Sequence, residues 1–418
     1  MGKGRTQGNR MRMNRSLPLA LVLATLPCVA TAQDLHWHGY ADARLQWNDG
    51  NDYSWTDGGL GKARFGGGDP ALAVSGALSG SWQLSPSWIA VVDLQANPQT
   101  SPKLGVLDAY LRFRPVSTTP WRWSVRLGAF FPPISLENEG VGWTSLWTLT
   151  PSAINTWVGE ELRSFGAEVR LERRGRYGTL DMGLTAFQHN DPAGELLAGR
   201  GWALGDVTSV IGSRIREPDV YAPLLESPVP AEYQPFRETD GRVGWHADAS
   251  WQAPGGARMT LMRYDNRADP SSFYRRGERE VYSWRTKFWS GGAAVPLGDF
   301  VLIGQWMDGS TVIEPAPGFV LDTRLKAWFA LAGWGHGRWR PALRFDHFQT
   351  RQLPDFLSDP LSEQGHAWTA ALNWRPCDRL RITGEWLRID SRRNQRAAEG
   401  LSPRQVEQQL QLSLRWIF

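Results

Sequence analysis

Residues 35–47 read Leu-His-Trp-His-Gly-Tyr-Ala-Asp-Ala-Arg-Leu-Gln-Trp. Leu35, Trp37, Gly39, Ala41, Ala43, Leu45 and Trp47 fall on one face, and His36, His38, Tyr40, Asp42, Arg44 and Gln46 on the other. A period of two sustained this long predicts a β-strand with one apolar and one polar face. Strands of soluble sandwiches average about 5–6 residues, whereas a tilted strand needs about 9–11 to cross a bilayer. The same alternation recurs near 71–84, 88–97, 106–114, 121–130, 164–172, 179–189, 243–252, 257–264, 281–292, 299–307, 320–334, 338–348, 366–375, 379–389 and 404–418. At 257–264 and 320–334 either face reads as outward.

The connections sort by parity. Tight links fall at 85–87, 115–120, 173–178, 253–256, 293–298, 335–337 and 376–378, each with Pro or Gly. Longer ones fall at 48–70, 98–105, 131–163, 190–242, 265–280, 308–319, 349–365 and 390–403. Short turns on one rim and long loops on the other point to an all-β chain: a transmembrane, antiparallel up-and-down β-barrel of about 16 strands with short periplasmic turns and long extracellular loops. Closure also removes edge strands that lipid cannot hydrogen-bond.

Composition changes the picture at the N-terminus. Residues 1–16 are basic, Leu17–Leu26 are apolar, and Ala30-Thr31-Ala32 is a small-x-small cleavage site, so residues 1–32 read as a secretory signal peptide ahead of a barrel over 33–418. Pro27 before Cys28 disfavours lipoprotein processing. A net charge of +4 suggests nucleic-acid binding until the leader is set aside. Removing Lys3, Arg5, Arg10, Arg12 and Arg15 from the 46 basic residues leaves 41 against 42 acidic, so no nucleic-acid partner is expected. Mean hydropathy is −0.39 and no apolar run reaches about 18 residues, which excludes a helical membrane bundle. Cys377 is the only cysteine beyond the leader, so no intrachain disulfide supports the fold.

The aromatic residues fit the same reading. Trp37, Trp47, Trp82, Trp88, Trp121, Trp123, Trp245, Trp251, Trp374 and Trp416 fall on the outward face near strand ends, where rings belong at headgroup level. A competing slide of stacked sugars needs inward rings and rests on Trp289, Trp328 and Trp334. In the last strand Leu410, Leu412, Leu414, Trp416 and Phe418 share one face. Trp416 and Phe418 resemble the terminal signal that bacterial barrels present to the barrel assembly machinery, and lipid of the outer membrane is the other expected partner.

Sixteen strands enclose a water-filled channel. The alternation turns Arg44, Arg112, Arg114, Arg122, Arg126, Arg170, Arg285, Lys287, Arg324, Lys326, Arg340, Arg344, Arg381 and Arg415 inward, against Asp42, Asp93, Asp108, Glu168, Glu172, Asp181, Asp248, Asp346, Glu385 and Glu407. Arg112, Arg114, Arg122 and Arg126 come from adjacent strands, and basic rows in a pore favour anions. The same charges also serve merely to pair with one another and wet the wall. The connection 131–163 carries Phe131-Pro132-Pro133, Trp143, Trp147 and Trp157, too apolar for a loop in water. It is expected to fold into the pore as a constriction or to pack against a neighbouring loop or subunit. Its Glu137, Glu139, Glu160 and Glu161, if they face the channel, favour cations instead.

Other motifs are weak. His36-x-His38 lacks a third metal ligand. The Gly-rich stretch 58–68 lacks the Ser/Thr that follows the lysine of a phosphate-binding loop and reads as a flexible part of the first long connection. No Gly-x-Ser-x-Gly elbow appears. No cofactor, metal or catalytic residue is expected. The long connection 190–242 supports an alternative: a non-transporting barrel acting as adhesin, receptor or hydrolase.

Asp108-Ala-Tyr-Leu-Arg-Phe, the run from Val125 to Glu137 (Val-Arg-Leu-Gly-Ala-Phe-Phe-Pro-Pro-Ile-Ser-Leu-Glu) and Leu343-Arg-Phe-Asp-His-Phe348 resemble the phosphate-selective porin O and P type of outer-membrane porins. Gly365-His-Ala-Trp and Leu387-Arg-Ile-Asp-Ser391 are similar to stretches of porin-like proteins. The resemblance implies a sixteen-stranded barrel, usually a homotrimer, with an inward third loop and passive diffusion of small polar or anionic solutes. Phosphate-selective members carry lumenal lysines, whereas this chain has only Lys62, Lys103, Lys287 and Lys326 beyond the leader.

Overall fold

Every one of the alternating segments pairs antiparallel with the next, and the last pairs with the first. The computed structural model describes residues 35–49, 54–218, 232–276, 279–354 and 361–418; the expected signal peptide lies outside them. Sixteen strands form one closed barrel. They are β1 (Leu35–Asn48), β2 (Ala71–Ser85), β3 (Trp88–Ala96), β4 (Leu104–Phe113), β5 (Trp121–Phe130), β6 (Ser164–Gly175), β7 (Gly178–Gln188) and β8 (Gly244–Gln252). There follow β9 (Arg258–Asp265), β10 (Arg285–Leu297), β11 (Phe300–Ala316), β12 (Phe319–Trp334), β13 (Trp339–Leu353), β14 (Glu363–Cys377), β15 (Leu380–Arg393) and β16 (Arg404–Ile417).

The seam between β1 and β16 runs from Tyr40↔Ile417 to Asn48↔Gln409. It is completed by reciprocal backbone hydrogen bonds, Gly39 N–H to Phe418 O at 2.8 Å and Phe418 N–H to Gly39 O at 3.0 Å. Gly39 is required there, since a Cβ would sit 2.5 Å from the Ala77 carbonyl and 3.0 Å from the Phe418 ring.

Alternation sorts the surface as expected. Trp37, Trp47, Trp82, Trp88, Trp121, Trp123, Trp251, Trp374, Trp416 and Phe418 are all exposed on the outer face. So are Trp289, Trp328 and Trp334, which removes the inward rings that a sugar slide needs.

Several boundaries differ from the sequence reading, among them the ends of β10 at Leu297 and of β13 at Leu353. The expected loop 308–319 is mostly strand: β11 continues to Ala316 and pairs with Phe319 across Pro317-Gly318. Polar residues such as Asp308 and Ser310 look like loop, yet backbone pairing continues beyond the bilayer-facing band. The strand expected from 281 begins at Arg285, because 279–282 pair instead with 273–276 in a separate hairpin.

The inward register of β10 and β12 is a larger correction. Arg285, Lys287, Arg324 and Lys326 point outward, not into the pore; Phe288, Leu325, Ala327, Phe329 and Leu331 point inward and are buried. A polar face turns inward only where it meets lumenal water. In this half of the barrel the lumen is filled by protein, so the apolar face turns in. Phe288 packs against Trp157 and Tyr264 at ring separations of 5.6 and 4.8 Å.

Candidate functional site

The lumen is divided into a filled half and an open half. Three segments fill it against the inner face of β10–β16 and β1. After β5, Pro132 and Pro133 bring no N–H to continue the ladder, and 131–163 turns inside. Its helix α1 (Ala153–Glu161) is capped by Ser152, whose hydroxyl accepts from Asn155 N–H. Every α1 residue is buried, the polar Asn155, Thr156, Glu160 and Glu161 included, so the helix is enclosed on all sides. The stretch 54–66 and the stretch 190–210, with α2 (Glu195–Gly199), pack beside it.

Buried polar groups from the wall hold these segments. Arg344 donates to Glu137 at 2.5 Å, to Asp346 at 2.7 Å and to the Thr150 and Pro151 carbonyls at 2.7 and 2.9 Å. Glu385 accepts from Leu149 and Thr150 N–H at 2.5 and 3.0 Å. Glu407 accepts from Lys62 and Ala63 N–H, at 2.8 and 2.9 Å. The Lys62 ammonium donates to Glu363 and to the Arg200 carbonyl, and Arg200 pairs with Glu160 at 2.5 Å. Asp206 bridges Arg44 and Arg64; burial pushes its carboxyl up, but the two guanidiniums bring it well below the usual carboxylate range. Around Lys62 the Gly-rich stretch is therefore a packed part of the filling, not a flexible loop: Leu60, Lys62 and Ala63 are all buried.

Glu161 links two of the filling segments. Its carboxyl accepts from Gly194 N–H at 3.0 Å, Leu196 N–H at 3.2 Å, the Trp157 indole and the Tyr233 hydroxyl. Burial without a cation pushes it up to about 7, against the pull of those hydrogen bonds. Lys62 moves the other way, down to about 7, because burial outweighs Glu363.

The opposite wall, β3–β6 with the turn-side halves of β7–β9, keeps solvent contact, whereas Phe187, His246, Met262 and Tyr264 nearer the long-loop ends of β7–β9 are buried. Arg112, Arg122, Arg126 and Arg170 point inward and are half-exposed. Arg126 pairs with Glu168 at 2.8 Å, Arg170 with Asp181 and, at 2.6 Å, with Asp248, and Arg122 lies 4.0 Å from Glu172. Arg112 has no carboxylate within ion-pair distance among the described residues. Asp93 and Asp108 face each other across β3 and β4. Asp108 lies 3.8 Å from Arg163, whose guanidinium covers the Phe131 ring at 3.3 Å. Glu139, the exposed glutamate of 131–163, reaches Arg258 on β9.

Measured against the sequence reading, Arg112, Arg122, Arg126, Arg170 and Asp108 share the open wall. Arg114 lies past the end of β4 in the short turn, its N–H bonded to Ser87 O at 2.8 Å, and is exposed. Arg344, Glu137 and Glu160 are inside but wholly buried, so they secure the filling and do not meet channel water. With Arg114 in the turn and Arg285, Lys287, Arg324 and Lys326 outward, the fourteen expected inward basic residues fall to nine, against ten acidic ones. Arg163, Lys62 and Asp206 were not legible as wall partners, since nothing local marks a loop residue as lumenal. Among the described residues, Asp191, Glu238 and Asp240 bring carboxylate oxygens within 4.8 Å of one another. Each already accepts backbone N–H groups, from Thr239, His189 and Arg242.

Solved structures share this architecture. The outer-membrane channel DcaP of Acinetobacter baumannii superposes with a TM-score of 0.58 at 10% identity, covering 93% of this chain and 99% of that one. OmpF of Salmonella typhi, solved with daunomycin, gives 0.51 at 9% identity over 93% and 98%. The outer-membrane protein OmpT of Vibrio cholerae in a trimer form gives 0.50 at 8% identity over 92% and 99%. These likenesses establish the fold, a porin-type barrel. No protein-family model and no curated protein sequence matches the chain.

Proposed function

We propose that this protein is an outer-membrane porin, exported by residues 1–32 and admitting small polar solutes along the β3–β9 wall with a weak preference for anions. The observation that carries the reading is the row of half-exposed Arg112, Arg122, Arg126 and Arg170 on the wall that the filling leaves open. Segment 131–163 acts as the constriction, with Glu139 its exposed charge beside the passage. Selectivity is set where the passage is narrow, because excluded water strengthens each charge there. Most wall charges are paired, which argues for weak selectivity; Arg112 tips the balance towards anions. The scarcity of lumenal lysine argues against tight phosphate selectivity of the porin O and P kind.

Outer-membrane lipid surrounds the exposed band, Phe418 presents the assembly signal, and the chain forms a homotrimer. Support for the trimer is the outer face of β1–β8, which stays apolar up to the long-loop ends at Leu45, Trp47, Leu72 and Leu104. The alternative of a displayed binding loop gains little, because residues 190–205 are buried inside the barrel. Purified protein in planar bilayers under a KCl gradient tests the proposal: stepwise conductance with a small anion-sided reversal potential is expected, and a folded barrel without steps would refute it.

A further inference from the structure

The outer face of β10–β16 differs from that of β1–β8 above the long-loop aromatic tier. That tier consists of Trp289, Trp306, Trp328, Trp368 and Trp386, all exposed. Immediately beyond it on the same face come Lys287, Lys326 and Arg388, with Asp308 paired to Lys326 at 3.3 Å, then Arg324, then Arg351 and Arg392. At the corresponding level β1–β8 carry leucine and tryptophan. The barrel therefore has an apolar half and a half crowned with cations.

The cations are placed against electrostatic preference. Arg324 lies directly across from Arg351, and Arg392 directly across from Arg404. Like charges opposite one another on a sheet face destabilise the pair unless a counter-charge is supplied. Arg324 and Arg404 have one, in Asp322 at 2.9 Å and Asp390 at 2.7 Å. Arg392 has no carboxylate partner among the described residues. Between β13 and β15 lies a groove of about 230 Å³, edged by Arg351 and Arg392 and lined by Gln349, Gln364, Ser362 and Asn394, with the buried Thr350 and Glu363 at its back, the Glu363 carboxylate being neutralised by Lys62 from the inner side. Gln349 and Gln364 are cross-strand neighbours, and Gln364 is in turn opposite Arg392. Two guanidiniums at the rim and two carboxamides at the base form a donor set suited to a phosphate. Gln364 is four residues from Trp368, about 13 Å along a strand and about 10 Å in height at the usual barrel tilt, which is headgroup depth.

We propose that this groove binds the phosphate of a phosphorylated glycolipid in the outer leaflet, with the acyl chains lying on the aromatic tier below. The inference rests on the reading that the long connections face the outer surface of the outer membrane. Charge complementarity and the tier beneath select a lipid over a soluble anion, since only a lipid uses both.

The test uses the folded full-length barrel in detergent with bis-phosphorylated lipid A as probe, read by native mass spectrometry. Wild type should retain lipid A, and Arg351→Ala/Arg392→Ala should lower its affinity at least about tenfold, the loss of one charge-assisted hydrogen bond or more. Arg351→Lys/Arg392→Lys should fall between. Dephosphorylated lipid A should bind as weakly to wild type as lipid A does to the double alanine variant. Equal retention by wild type and the alanine variant, equal binding of the dephosphorylated probe, or full displacement by millimolar inorganic phosphate would each overturn the assignment. Neither residue touches the lumen, so conductance of the variants should match wild type. A wild type that conducts but retains no lipid A fails this site alone, whereas absent conductance in wild type fails the channel reading.

Discussion

Arg344 on β13 donates to Glu137 of the inward segment at 2.5 Å, and neither side chain has any contact with solvent. One guanidinium thereby joins barrel wall to filling, supported by Asp346 and two backbone carbonyls. Removing one partner of a buried pair costs about 3–5 kcal/mol, because the other charge stays behind unpaired. Arg344→Ala should therefore loosen 131–163. We expect heat-induced unfolding at lower temperature and larger, noisier conductance steps. Wild-type noise and thermal midpoint in that variant would show that the segment is held by other contacts.

Selectivity should follow the unpaired wall cation. Arg112→Ala should bring the reversal potential under a KCl gradient close to zero. Arg170→Ala should carry it to the cation side, since Asp181 and Asp248 lose their counter-charge. Glu160→Gln should leave it unmoved, because that carboxylate is buried against Arg200. A large shift from Glu160→Gln would place the passage elsewhere.

Glu161 makes docking of the 190–200 stretch depend on pH. Its carboxyl titrates near 7 in the folded protein against an ordinary 4.5. A raised carboxyl favours the docked state in full below about 4.5, and that contribution is lost as pH rises through about 7. Hydrogen-exchange protection at Gly194 and Leu196, corrected for intrinsic rate, should fall across that window in wild type. Glu161→Gln should flatten the dependence. Protection that rises with pH would contradict the assignment.

The barrel itself was legible because membrane strands obey a strict period of two and the lipid face admits few exceptions. Thirteen alternating residues at 35–47 locate β1, and Trp416 and Phe418 fix the outward register of β16. The register of β10 and β12 was not legible, because their apolar residues serve an internal packing that depends on Trp157 of a distant segment. For the same reason Lys62 looked like part of a flexible glycine stretch until Glu363, some 300 residues on, accounted for it. Local pattern reports which face is apolar, not what covers it.

Closure of the barrel uses the contact between Phe418 and Gly39. Deleting Phe418 removes two backbone hydrogen bonds to Gly39 and an exposed ring. The yield of heat-modifiable, membrane-inserted protein should fall while export to the periplasm is unchanged. Gly39→Ala should reproduce part of this defect with Phe418 present, because its Cβ collides with the Ala77 carbonyl. Normal insertion of both variants would make the terminal contact incidental.

The central claim, a passage along the β3–β9 wall beside a filled half, is tested most directly by accessibility of single cysteines during conduction. Cys377 is free and exposed, so the background is Cys377→Ser. Ser124 points inward on the open wall and is half-exposed, whereas Thr369 points inward beneath the filling and is buried. A charged methanethiosulfonate reagent should reduce single-channel conductance of Ser124→Cys within seconds and leave Thr369→Cys unaffected. Block at Thr369→Cys without block at Ser124→Cys, or a folded protein with no conductance to block, would contradict the account.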